Sequence, residues 1–437
     1  MKPVVLLLIA GRSRRFWPLT EKSLWSISGK TILEHQIDRL KKAGLSEIIV
    51  VGGKHNLNDI KKRFPSLHTI EQKDLDQGMQ GAVVSALPKF KGKPILIVGA
   101  NDVIDTSAYK DLLKAMNDAK NDGAILAKKV HDYFPGGYIK SSGGRIQAII
   151  EKPGKGKEPS KLINIVAHLH RNPDELLRIL QTMTSNHDDG YEQALTKLFA
   201  THRYVPISYE GSWNPVKYPW HLLSLTERLL KEIKKPSFHK TAKIHRSAVI
   251  EGNVVLAEGV RVLPHATIIG PCSIGPHTII GNNTLVRHSS IGAHCVMGYN
   301  TEVVRSSLGD HIWTHSSYLG DSVIGDNVAF GAGSVTANLR LDEEEISSLI
   351  GNGGMATGLT KFGSAIGSNT RIGIHVSIAP GMKIGANSFI GSSAYITQDI
   401  PENSFVKSEH ASLIIKQNTK KAPHPVERQK FRKKSGL

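Results

Sequence analysis

Ile268-Ile269-Gly270-Pro271-Cys272-Ser273-Ile274-Gly275-Pro276-His277-Thr278-Ile279-Ile280-Gly281-Asn282-Asn283-Thr284-Leu285-Val286 repeats an aliphatic residue at every sixth position: Ile268, Ile274, Ile280 and Val286. An amphipathic helix would repeat at three or four residues and a half-buried strand at two, so neither explains the run. A spacing of six fits a hexapeptide solenoid, in which each short strand turns a corner and repeats. The register reaches back through Ile244, Ile250, Leu256 and Val262, and a second one holds Ile366, Ile372, Ile378, Ile384, Ile390 and Ile396. Between them Ile312, Tyr318, Ile324 and Phe330 read as a third. Gly275, Gly281, Gly325, Gly331, Gly367, Gly373, Gly385 and Gly391 each follow a repeating apolar residue, where a tight corner leaves little room for a side chain.

Working outward, Leu222–Ile233 reads as an amphipathic helix that Pro236 stops, which sets a boundary near residue 235. Leu339–Ser364 interrupts the six-residue rhythm with Asp342, Glu343, Glu344 and Glu345 and then a glycine-rich stretch, and reads as a projecting loop. Upstream, β-branched runs at Val4–Ile9, Ile48–Val51 and Ile95–Val98 alternate with helical segments at Ile32–Ala43 and Gly81–Leu87. That order predicts βαβ units, a parallel sheet with helices on both faces, and ligands at the carboxyl ends of strands. The expected organisation is a Rossmann-like α/β domain over 1–235, a left-handed parallel β-helix over 236–406 and a basic tail over 407–437.

At 437 residues the chain exceeds one hydrophobic core. Val4–Ala10 is too short to span a bilayer and reads as a buried strand. Cys272 and Cys295 are too few for a disulfide framework or a four-ligand zinc site, so a reducing, cytoplasmic setting is expected. The net charge of +18 predicts anionic partners, among them nucleotides, sugar phosphates, coenzyme A, nucleic acid or a membrane surface. Part of it lies after Lys416, in a tail expected to be solvated, and no specific nucleic acid is expected as a partner of the protein.

Directly after the first apolar run comes Ala10-Gly11-Arg12-Ser13-Arg14-Arg15-Phe16-Trp17-Pro18-Leu19-Thr20, then Lys22 and Gly29-Lys30. Small residues and cations at a strand end can present N–H groups and positive charge to phosphates. These residues resemble the sugar-1-phosphate nucleotidylyltransferase signature, similar to L-A-A-G-x-G-T-R-x-x-P-L-T followed by P-K and G-K-P. Gly11, Arg15, Pro18, Leu19, Thr20, Lys22, Gly29 and Lys30 match, whereas Ser13 replaces the second glycine and Arg14 the threonine. Gln72, Gly78, Ala100-Asn101-Asp102, Gly137, Glu151-Lys152-Pro153 and Asn164 follow in the family's order. The resemblance implies Arg15, Lys22 and Asp102 as catalytic residues, Asp102 as a Mg²⁺ ligand, and Gly11, Ser13, Gln72, Gly78, Gly137, Glu151, Lys152 and Asn164 as substrate contacts. It implies transfer of a nucleotidyl group, from UTP or dTTP, to a sugar-1-phosphate with release of pyrophosphate. Trp213-Asn214-Pro215-Val216-Lys217-Tyr218-Pro219-Trp220 is similar to the family's W-x-D-(I/V)-x-Y-P-W, in which the aspartate is a second metal ligand. Here that position is Pro215.

His315-Ser316-Ser317-Tyr318-Leu319-Gly320-Asp321-Ser322 resembles the H-x-x-Y-x-G-D-(A/S) segment of archaeal-type bifunctional UDP-N-acetylglucosamine pyrophosphorylase/glucosamine-1-phosphate N-acetyltransferases. In that family the histidine is the general base of acetyl transfer from acetyl-CoA, a role suited to imidazole. The resemblance continues through Asn338, Thr357-Gly358 and Lys361, implying Tyr318, Asn338 and Lys361 as substrate contacts, and Ala329 stands where the family has asparagine. It also implies a homotrimer assembled through the β-helix. Three readings follow: a bifunctional enzyme of nucleotide-sugar synthesis, a single-activity enzyme with one degenerate domain, and a catalytically silent sugar-nucleotide sensor or scaffold.

Overall fold

The computed structural model describes residues 2–184, 189–351 and 353–409. The expected tail falls almost wholly outside the described residues. Two compact units emerge, one from Met1–Ser13 with Thr31–Pro215 and the other from Arg14–Lys30 with Val216 onward. The signature loop is therefore divided after Ser13.

The first unit is built on β1 (Val4–Leu8), β2 (Ile48–Gly52), β3 (His68–Glu71) and β4 (Ile95–Gly99), which pair in parallel in the order β4-β1-β2-β3. Val4-Val5-Leu6-Leu7 and Ile95-Leu96-Ile97-Val98 are almost fully buried. Unbroken apolar runs suit strands covered on both faces. Helix α1 (Ile32–Lys42) starts at a capping box, Thr31 accepting from the Glu34 N–H and the Glu34 carboxylate accepting from the Thr31 N–H. The expected all-parallel sheet does not persist. β5 (Asp102–Val103) and β6 (Gly123–Lys129) lead to β7 (Gly137–Ser142), β8 (Arg145–Glu151) and β9 (Leu162–His170), and β9 runs antiparallel to β4, β6 and β7. The nine-stranded sheet is therefore mixed, because the second half of the unit is joined by hairpin and return connections rather than by βαβ crossovers.

In the second unit, three parallel sheets of eight, nine and eight short strands carry the hexapeptide registers. Face I runs from Ser237–Phe238 to Met382–Ile384, face II from Lys243–Ile244 to Phe405–Val406, and face III from Val249–Glu251 to Tyr395–Ile396. Ile244, Ile250 and Leu256 fall on faces II, III and I, and Val262, Ile268 and Ile274 pair with them one coil later, so three hexapeptides close one turn of a left-handed parallel β-helix. The repeat glycines sit under the next coil: a Cβ on Gly331 would lie 2.6 Å from the Gly373 carbonyl carbon. The left-handed backbone falls instead two residues later, at His277, Asn283, Asn327 and Asn387.

One register is corrected. Tyr318 does not face the core; Leu319 does, fully buried, with Thr314, Ile324 and Phe330 as its inward neighbours along the chain. Coils here are shorter than eighteen residues, and dropping one residue turns the alternate side chain inward. The Leu339–Ser364 projection is also more ordered than a loop, since Ser347–Ile350 and Gly353–Ala356 form an antiparallel hairpin.

Face I turns Ser290 and Ser307 outward, yet both are buried. The Arg14–Lys30 segment covers them: the Trp25 indole N–H donates to Ser307 Oγ at 2.9 Å and the Ser28 N–H to Ser290 Oγ at 3.0 Å. Lys383 Nζ lies 5.5 Å from the centre of the Trp17 ring, paired with Asp399 at 2.6 Å and donating to Ser348 Oγ and the Leu349 carbonyl of the projecting hairpin.

Candidate active sites

In the first unit the strand-end loop after β1 is pinned by buried Asn56, whose side chain donates to the Ile9 carbonyl at 2.8 Å. Gly11 is exposed with open space where a Cβ would project. Ser13 has φ 52°, the left-handed conformation that glycine adopts most readily, which accounts for the family glycine at this position. Its buried hydroxyl has no hydrogen-bond partner among the described residues. Arg12 pairs with Asp76 at 2.7 Å. Gln72 is buried, its amide donating to the Asp74 carbonyl at 2.7 Å and to that of Gly78 at 2.9 Å. The structure thus uses the Gln72 amide to shape the turn into α2 (Gly78–Ala86), with Gly78 at φ 51°. Arg15 is exposed and Lys22 half-buried, both within the segment that packs with the second unit.

Asp102 follows β4 and is braced from two directions. Its backbone carbonyl accepts from buried Gln36 Nε2, and Gln36 Oε1 in turn accepts from the Tyr109 hydroxyl at 3.1 Å. Its carboxylate Oδ1 accepts from the Trp213 indole N–H at 2.8 Å. Trp213 is itself placed by a loop that Asp105 gathers, accepting from the Tyr209 hydroxyl at 2.6 Å and the Ser212 N–H at 3.1 Å. Pro215 is the ladder partner of Asp102 in a short antiparallel pairing. The position of the family's second carboxylate therefore lies beside Asp102 and carries no ligand atom on its side chain. Asn214 pairs with Val103 and alternates to the other face of the strand.

Gly137, Glu151 and Asn164 converge. Gly137 is the ladder partner of Glu151, and a Cβ on Gly137 would lie 3.1 Å from Glu151 Oε2 and 3.7 Å from Asn164 Cβ. Lys152 pairs with Glu151 at 3.1 Å and is otherwise exposed. Asn164 begins a bulge in β9: it opposes Ala127 of β6, whereas His168, four residues on, opposes Ile125, two residues back. The bulge lets both side chains meet, His168 Nε2 lying 2.7 Å from Asn164 Oδ1.

In the second unit His315 is exposed at the corner that precedes the face III strand Tyr318–Gly320, and its ring makes no hydrogen bond among the described residues. The Tyr318 hydroxyl accepts from Asn338 Nδ2 at 3.0 Å, and the same amide donates to Asp321, which Arg305 holds through two bonds of 2.6 and 2.7 Å. One strand away Arg287 donates to Glu302, the ladder partner of Tyr318. Burial raises the Tyr318 pKa, with the Asp321 and Glu302 charges adding to it, so the hydroxyl stays protonated. Burial is the largest single influence on Arg305 and opposes its charge, but the Asp321 hydrogen bonds together with the Asp321, Tyr318 and Glu302 charges outweigh it and hold its pKa above the usual value. Lys361 is pushed down by burial and by the Arg305 charge. The sequence reading named Tyr318, Asn338 and Lys361 as substrate contacts and included Asp321 in its motif, but it gave Asp321 no role and did not single out Arg287, Glu302 or Arg305. The missing signal was periodic: Arg305 and Asp321 stand sixteen residues apart, close to one coil.

The MobA-like NTP transferase domain matches residues 5–245, and bacterial transferase hexapeptide repeats match 253–288 and 363–398. The bifunctional protein GlmU of Methanococcus vannielii is 32% identical over 436 residues, covering 94% of this chain and 99% of the relative. The chain belongs to the bifunctional GlmU family. Further members include a bifunctional sugar-1-phosphate nucleotidylyltransferase/acetyltransferase of Sulfurisphaera tokodaii, 30% identical over 92% of this chain and 99% of its own, and the GlmU of Stenotrophomonas maltophilia, 25% identical over 91% and 94%. Family membership explains the presence of both motif sets on one chain. No helix among the described residues is long and apolar enough to cross a membrane.

Among the described residues no cluster of three histidine, cysteine or acidic side chains could hold a metal. Asp102 alone does not make a two-carboxylate centre. It does fit Mg²⁺ bound through one carboxylate with phosphate oxygens and water completing the shell, the usual arrangement at nucleotide sites.

Proposed function

We propose that the first unit joins a sugar-1-phosphate to a nucleoside triphosphate, UTP or dTTP, and that the β-helix acetylates an amino-sugar phosphate from acetyl-CoA. The observation that carries the first activity is Asp102 at a strand end, braced by Gln36 and Trp213. A sugar-phosphate oxygen attacks the α-phosphorus, the bond to the bridging oxygen breaks, and pyrophosphate leaves. Such a transfer depends on alignment and charge neutralisation. Mg²⁺, when bound through Asp102, supplies charge to the phosphates. Gly11 and Ser13 offer the strand-end loop to the phosphates, and Arg15 and Lys22 add positive charge in keeping with the family signature. Gln72 and Gly78 shape the base side, and Gly137, Glu151, Lys152 and Asn164 hold the sugar.

For acetyl transfer, exposed His315 takes a proton from the amine, which attacks the thioester carbonyl; the C–S bond breaks and the coenzyme A thiol leaves with a proton. Tyr318, Asn338 and Lys361 bind the acceptor beside the Arg287–Glu302 and Arg305–Asp321 pairs. A homotrimer through the β-helix agrees with the aromatic surface of face II, where Trp313 is 53% exposed and Phe389 52%. A cytoplasmic location agrees with two buried free cysteines whose thiols burial pushes up to about 12. The test is release of pyrophosphate and of free coenzyme A over a matrix of nucleoside triphosphates and sugar-1-phosphates, with and without acetyl-CoA. Both products are expected. A protein that releases neither is the scaffold of the third reading.

A further inference from the structure

β9 ends in two buried histidines, His168 and His170, that share one face of the strand. Each has a buried tyrosine at Nδ1, Tyr191 at 2.9 Å from His168 and Tyr204 at 2.7 Å from His170. They differ at the other nitrogen. His168 Nε2 reaches Asn164 Oδ1 at 2.7 Å, whereas His170 Nε2 has no partner among the described residues. We infer that His168 is a positioning residue that fixes the Asn164 carboxamide so that only its NH₂ group is offered to the bound sugar.

The polarity follows from donor accounting. Tyr191 is 1% exposed, and among the described residues its hydroxyl meets only His168 Nδ1. If Nδ1 carried the proton, the Tyr191 hydrogen would be buried without an acceptor. The Tyr191 O–H therefore donates to Nδ1, the proton resides on Nε2, and Nε2–H donates to Asn164 Oδ1. Burial keeps the ring neutral, with its pKa pushed down to about 3. Asn164 Nδ2 has no partner among the described residues, and it belongs to the residue that converges with Gly137 and Glu151. A side chain that presents only donors selects an oxygen acceptor, such as a hydroxyl or an acetamido carbonyl, and disfavours an ammonium at the same place. The inference rests on the reading of Asn164 as a sugar contact.

Steady-state kinetics of pyrophosphate release test it, with the sugar phosphate varied at saturating nucleotide. His168→Leu is expected to raise the KM for the sugar phosphate about fivefold, the worth of one hydrogen bond, and to leave the KM for the nucleotide unchanged. His168→Gln, whose amide can donate from near the Nε2 position, should restore most of that loss. Tyr191→Phe removes only a hydroxyl and should give an intermediate value, which keeps the test open should His168→Leu not fold. His170→Leu disturbs the same core and should leave the sugar KM alone. Equal KM changes in His168→Leu and His170→Leu, or none in either, would overturn the inference. A wild-type protein without turnover contradicts the transferase reading instead; nitrogen-15 NMR of the imidazole then still decides the positioning, a proton on Nδ1 refuting it.

Discussion

Acidification should open β9 before it opens the solenoid, because His168 and His170 are buried neutral. Burial lowers both pKa values from 6.5 to about 3, in His168 with a further contribution from His170. An unfolded histidine takes up a proton near pH 6.5, so the unfolded state binds more protons at mild acidity and stability falls as the pH is lowered. The contribution is present above about pH 6.5 and is lost progressively towards pH 3. At about pH 5 each histidine has lost about 1.5 units of its shift, or about 2 kcal/mol. Hydrogen exchange of the Leu162–His170 amides, corrected for intrinsic rates, measures this directly. Protection should fall about 30-fold between about pH 7 and pH 5 for one histidine, and about a thousandfold where opening releases both. His170→Leu should remove about half of the slope. Protection that is independent of pH in the wild type would refute the claim that these imidazoles are neutral because they are buried.

Lys383→Met should destabilise the solenoid by about 3 kcal/mol, since it leaves Asp399 without its cation and frees Ser348, Leu349 and Trp17 from their shared anchor; thermal unfolding should show a midpoint lower by roughly 6–12 °C. Pro215→Asp should place a second carboxylate opposite Asp102 and lower the Mg²⁺ concentration needed for half-maximal pyrophosphate release; an unchanged titration would show that this strand does not face the metal.

The solenoid was legible because its core repeats at a period no helix or simple strand shares, and Ile244 to Val286 fall on the three faces in turn. Tyr318 misled because the coil there is short of eighteen residues, and a strand's two faces differ by a single residue. The parallel half of the first sheet was legible in Val4–Ile9, Ile48–Val51 and Ile95–Val98, whereas the antiparallel return through β9 was hidden, since direction depends on long-range pairing. Among candidate site residues, Asp102, Gly137, Glu151 and Asn164 were singled out through family order, which also marked Pro215. Nothing local to His168 announced its contact with Asn164: the bulge that joins them is a property of the sheet register. The attachment of Trp25 and Ser28 to Ser307 and Ser290 spans more than 260 residues and was likewise invisible in the chain.

The central claim is that this strand-end carboxylate serves nucleotidyl transfer to a sugar phosphate. Mg²⁺-dependent release of pyrophosphate from UTP or dTTP with a sugar-1-phosphate, compared between the wild type and Asp102→Asn, tests it most directly. The wild type should turn over and Asp102→Asn should lose at least about a hundredfold while keeping its circular dichroism spectrum, the scale on which one group stabilising transition-state charge acts. Equal turnover by the two proteins would contradict the account.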